Sequence, residues 1–438
     1  MAYLKSARLS AEKSNRLGHL EVMESELVQK LVDAFEKPVF DDEALAKVEW
    51  KLLAQDDDVL KTIFCVDGSL QTIQSNSFPK KELSFVKVAL LTLDQHSLSK
   101  LDPDYPHPFR LRQILDKSAI FHATVFPLKN VNLPDMSTYD TVRKIIFESF
   151  ADASLEGEPL KTLKWLAYEK WTGDTSKKSL SFECPHCEKE ISGLPNDSEV
   201  AQCEHCKQEV YLTDMIGFHL DMEDESVPST VMTSYMIVYE TILLFTAIRF
   251  FWEAKKYTTL KDCLFLKDGP LSLSSQYSKL VKPIRNFLRF SRDQGVPIYL
   301  AGQEKTGRFV EYLELLSHKP HPDFSYFIPD NQFIDKEIRE RPNRKDPYGF
   351  RVNYGNKVFV NNDAHHHIVL SIPTGEYKDT NNVDDFIGAE KIMKTINQLV
   401  SHKHANALLP IQLANGIASL STYPSAQVLK LFASKVID

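Results

Sequence analysis

The chain lacks the features that would take it out of the ordinary globular class. It has no charge-free apolar run of the ~20 residues that a membrane-spanning helix needs. Its most apolar stretch, 231–252, is interrupted by Glu240 and Arg249. The N-terminal residues MAYLKSARLSAEKSNRLGHLEV include basic side chains, but no apolar run follows them, so they do not read as a secretory signal. No internal repeat or low-complexity tract is visible. The expectation is a soluble, cytoplasmic protein with no membrane segment. There is no basic excess either: Lys plus Arg is 52 against 60 Asp plus Glu, a formal net charge of −8. That balance excludes a passive nucleic-acid coating protein, which needs positive charge to displace counterions. It leaves room for a nuclease, because carboxylates hold catalytic cations.

What is present is a core. Of 438 residues, 43% are hydrophobic and 26% charged, ordinary values for a folded domain and incompatible with disorder. At roughly 150 residues per domain the length suggests about three domains or one large decorated one. Six cysteines are too few for a disulfide-stapled scaffold. Cys65 and Cys263 stand alone in apolar runs and read as small buried hydrophobes. The other four form Cys184-Pro-His-Cys187 and Cys203-Glu-His-Cys206, fifteen residues apart. This is zinc-ribbon spacing, in which each C-x2-C turn aims two thiolates at one point. Four thiolates close the tetrahedral shell, so the zinc is expected to be structural. His186 and His205 lie inside the knuckles and read as turn residues.

Hydrophobic spacing divides the chain. Residues 8–55 read as helices with one apolar face (Leu17, Leu20, Val22, Met23, Leu27, Leu31, Val32 and Phe35). Strands are expected at 62–66, 83–93 and 119–126. Residues 127–227 read as an insertion with helices near 138–152 and 159–170 and a zinc ribbon at about 180–212. A long buried helix is expected at 228–255 and a strand at 262–267. An amphipathic helix at 277–290, a strand at 297–300 and a helix from 308 follow. Strands are expected at 348–354, 357–361 and 366–372, with Gly355-Asn356 as a hairpin-like turn. Helices at 384–402 and 425–436 close the chain. The organisation expected is a helical segment at 1–60, a core in two parts at 61–126 and 228–438, and the insertion at 127–227. The fold class is mixed α/β, one sheet flanked by helices.

Two strand candidates run into an Asp-Gly step, FCVDGSL and FLKDGPL. A carboxylate at the end of a buried strand is held rigidly, and the glycine after it lets the chain turn and a phosphate approach. Asp67 and Asp268 on neighbouring strands could share divalent cations that activate water against a phosphodiester. A third carboxylate, Glu240, lies in the middle of the apolar helix, where a charge needs a partner or a metal.

In this order and context the motifs resemble those of the NurA nucleases. The resembling residues are Asp67-Gly68-Ser69, Glu240, Asp268-Gly269-Pro270-Leu271, Pro297 to Leu300 followed by Glu304-Lys305-Thr306, and the strands between Tyr354 and Pro373. The resemblance covers roughly 60–125 and 228–425. It implies an RNase H-like sheet and a metal-dependent, typically manganese-using, DNA nuclease. It also implies a homodimer that works with a HerA-like hexameric ATPase on DNA, in DNA-end processing or anti-phage defence. Asp67, Glu240 and Asp268 would be the Mn2+ or Mg2+ ligands, with Lys305 and Asn415 completing the catalytic set. Asn415 stands where the family pattern has a histidine, and an amide cannot act as a general base. One of His365, His366 and His367 could replace it. The alternative reading is a catalytically weak adaptor that guides DNA for the ATPase. The negative charge adds the expectation that the protein alone binds DNA weakly.

Overall fold

The computed structural model describes residues 25–35, 48–56, 58–98, 119–339, 346–401 and 406–437. The chain divides into two compact units, 1–47 and 48–438. Within the first unit, helix α1 (Glu26–Ala34) buries none of its side chains. The remaining apolar positions expected on this face, from Leu17 to Met23, lie outside the described residues.

The second unit is built on one nine-stranded mixed sheet. Its first strand, β1 (Lys51–Leu52), is an edge strand, so the helical expectation for 8–55 fails at 48–56, which is extended. Next come β2 (Thr62–Gln74), β3 (Glu82–Asp94) and β4 (Ala119–Lys129), an antiparallel meander. The expectation that β2 stops near Asp67 is corrected. All thirteen residues from Thr62 to Gln74 pair with β3, and Asp67 pairs with Ala89 in mid-strand. Helices α2 (Thr138–Phe150) and α3 (Glu158–Ala167) follow, then two small hairpins, β5 (Phe182–Glu183) with β6 (Glu190–Ile191) and β7 (Val200–Gln202) with β8 (Glu209–Tyr211).

Helix α4 (Ser229–Glu253) is the one described helix long and apolar enough to cross a membrane by length and composition. Within its most apolar window, 72% of the residues are buried inside the protein, which makes it a core helix. It leads to β9 (Cys263–Asp268), then α5 (Val281–Asp293), β10 (Tyr299–Glu304) and α6 (Arg308–Ser317). The sheet ends with β11 (Ser325–Phe327), β12 (Asn356–Asp363) and β13 (His366–Ile372). Residues 348–354 form turns rather than the expected strand, so Gly355-Asn356 joins no hairpin, and β12 and β13 are joined at Ala364-His365. Helices α7 (Ala389–Asn397), α8 (Leu409–Ala418) and α9 (Ser425–Ile437) complete the chain.

In the sheet, β9 runs parallel to β2 and β10 parallel to β9, while β3 and β4 extend the other side of β2. Side chains alternate between two faces. Phe64, Val66 and Phe265 point into a core with α2, α3, α4 and α5. Ile63, Cys65, Leu264 and Leu266 point into a second core under α7 and α8. The four-cysteine stretch is no separate body: Phe182, Cys184, Cys203 and Val210 belong to the same core as α4.

Candidate functional site

The four cysteines meet as their spacing requires. All four Sγ atoms lie within 4.8 Å of one another. Cys184 is 3.8 Å from Cys206 and Cys187 is 3.8 Å from Cys203. A tetrahedron with Zn–S bonds of ~2.3 Å has edges of about 3.8 Å, so the cluster could hold a structural metal such as zinc. Each knuckle has the same local design. The His186 N–H points to Cys184 Sγ and the His205 N–H to Cys203 Sγ, both at 3.4 Å. A left-handed residue, Glu188 or Lys207, then turns the chain back. The His186 ring is used elsewhere, 3.0 Å from the Glu209 carbonyl and 3.2 Å from Arg143. Arg143 also holds Asp214 through a buried ion pair of 2.8 Å, which ties α2 to the ribbon.

The second candidate lies where β9 ends. Alternation puts Asp67 and Asp268 on the face covered by α7 and α8, on adjacent strands. Asp268 is the last residue of β9, and Gly269 turns away in the left-handed region, as the Asp-Gly step predicts. Asp67 is 4% exposed. Its Oδ1 accepts the Gly68 N–H at 2.8 Å, while its Oδ2 has no hydrogen-bond partner. Burial, then the charges of Asp268 and Glu240, raise its pKa to about 7. The exposed amide of Asn415 on α8 and the Lys305 ammonium oppose that rise. Lys305 Nζ donates to Asp268 Oδ2 at 2.8 Å.

Glu240 approaches from the opposite face. Its Oε2 lies 2.7 Å from Lys267 Nζ, and both side chains are buried. Burial raises the Glu240 pKa against the pull of Lys267. Gly68 makes this approach possible, since a Cβ there would lie 2.6 Å from Met236 Cγ and 2.7 Å from Glu240 Oε1. Among the described residues, only the four cysteines bring three or more ligand atoms within 4.8 Å, so the three carboxylates do not form a closed cage.

The expected residues therefore divide. Asp67, Asp268, Lys305 and Asn415 meet on one face, and Glu240 couples to them through the sheet. The three histidines have other partners: His365 is exposed in the turn, His366 lies 2.9 Å from Asp363, and His367 packs against His321. Arg339, which opens a stretch rich in arginine in the sequence, pairs with Asp335, and 340–345 lie outside the described residues. Sequence reasoning did not single out Lys267. The signal was available, because a lysine inside the apolar run CLFLKD needs a buried counter-charge. No family model matches the chain, and no curated protein matches it.

Proposed function

We propose that this protein is a metal-dependent DNA nuclease of the NurA type that acts with a HerA-type hexameric ATPase. One observation carries the reading: Asp67 and Asp268 stand side by side on adjacent parallel strands, and Asp67 is buried with an unpartnered oxygen. Leaving a carboxylate oxygen unsatisfied is costly unless something binds it, so the residues fit a cation. The antiparallel meander followed by strands parallel to β2 supports the RNase H-like core that the resemblance implies.

Asp67 and Asp268 would hold Mn2+ or Mg2+, with Glu240 behind the strands in an ion pair with Lys267. When bound, the cation would activate water and neutralise charge on a DNA phosphodiester. Lys305, partly exposed next to Asp268, is suited to meet a phosphate oxygen. Asn415 can orient a phosphate or a water through its amide but accepts no proton. The exposed apolar residues Leu27, Leu31 and Val32 of α1, Phe35 just after it, and Val428, Leu431 and Phe432 of α9, are contact points for a second copy or the ATPase. The test is DNA cleavage with manganese by wild type, Asp67→Ala and Asp268→Ala. Both variants should fall to background, and unchanged cleavage in both sinks the assignment.

The second reading, an adaptor that guides DNA for the ATPase without cutting it well, is favoured by two observations. Glu240 is engaged by Lys267, and Asn415 occupies the histidine position. An ATPase partner that co-purifies with a chain unable to bind manganese would establish it.

A further inference from the structure

The geometry points to a one-cation site in which the ammonium of Lys267 stands where a second divalent ion would otherwise bridge Glu240 and the end of β9. The inference rests on the nuclease reading and sharpens it. Two-metal sites place their ions ~3.5–4 Å apart with carboxylates shared between them. Here the carboxylate that would serve the second ion is already committed. Lys267 Nζ sits 2.7 Å from Glu240 Oε2 and donates to the Asp268 carbonyl oxygen at 2.9 Å. It therefore joins the two elements, α4 and β9, that a second cation would join.

The remaining Glu240 oxygen, Oε1, is packed against Gly68. Glu240 and Lys267 are 3% and 2% exposed, so neither charge can turn to water. Freeing Glu240 for a metal would strand an unpaired ammonium in the core, which is strongly unfavourable. The pair also lies on the opposite side of the strands from the unpartnered Asp67 Oδ2. Glu240 is then a positioning residue that anchors a fixed positive charge behind the cation site, and Asp67 and Asp268 are the ligands.

The experiment is a Mn2+ titration of the full-length protein, reading free manganese by electron paramagnetic resonance. Wild type should bind a single ion. Asp67→Asn or Asp268→Asn should weaken it by about 10-fold or more. The double variant Glu240→Gln/Lys267→Met removes both charges and leaves neither stranded. It should still bind a single manganese ion, because no ligand is lost. Lys267→Ala, which frees Glu240 and opens space, should take up a second ion. Two ions on wild type, no manganese bound by the folded double variant, or a single ion on Lys267→Ala overturns the inference alone. If the double variant does not fold, the wild-type stoichiometry decides. No manganese on wild type overturns the nuclease reading and this inference together.

Discussion

Asp67 carries an energetic tension of its own. Its carboxyl titrates near 7 in the folded protein against 3.8 in an unfolded chain. Between those values the folded state binds the extra proton. Stability is therefore highest at the acid end and declines as pH rises through 7. Asp67→Asn removes the titration. Without added divalent cation, the variant should exceed wild type at pH 8 by on the order of 4 kcal/mol. The gap should shrink towards pH 5. Denaturant unfolding at both pH values measures it, and a pH-independent offset refutes it. Such a gain at pH 8 fits a functional carboxylate, since stability lost at one residue is the usual cost of a reactive site.

Among the elements, β2 and α4 constrain each other at Gly68. Gly68 is not a turn glycine. It sits in mid-strand because the helix crosses there with Met236 and Glu240 against its Cα. Gly68→Ala should destabilise the protein by about 1–3 kcal/mol. Adding Met236→Ala should recover only part of this, because Glu240 is fixed by Lys267 while methionine is flexible. Denaturant midpoints of the two variants report it, and a neutral Gly68→Ala excludes the close approach. This contact also shows what the sequence could reveal. The strand-Asp-Gly step located Asp268 correctly, because a strand end is a local event. The same step misplaced the end of β2, because what sets that strand's length is its partner β3. The cysteine knuckles were legible for the same local reason. The Glu240–Lys267 pair was not, since its partners are 27 residues apart and meet only after α4 docks on the sheet. Asn406 was missed too: its carbonyl holds Gln303 and its side chain holds the His367 N–H, contacts that no spacing encodes.

At the scale of the whole molecule, the ribbon is built into the main core rather than appended to it. Cys184 and Cys203 belong to the same core cluster as the α4 residues, and Arg143 clamps Asp214 from α2. Loss of the metal should then be felt far from the thiolates. In Cys184→Ser/Cys203→Ser, hydrogen exchange should accelerate across α2 as well as across 182–211. The thermal midpoint should drop by about 5 °C or more, as loss of several kcal/mol requires. Faster exchange confined to the two hairpins, with α2 still protected, disproves that coupling. One zinc per folded wild-type chain is the accompanying expectation.

The paired design of the knuckles has a temporal meaning. Each C-x2-C turn brings its own thiols into place through contacts that span only a few residues, so each is ready early. Neither turn alone closes a tetrahedron, and the shell exists only once residues 184–187 and 203–206 have been folded onto each other. Bound metal therefore records that the intervening chain has doubled back. With a metal bound, a backbone cut between the two knuckles would leave two peptides held together through the four thiolates and the core beneath them.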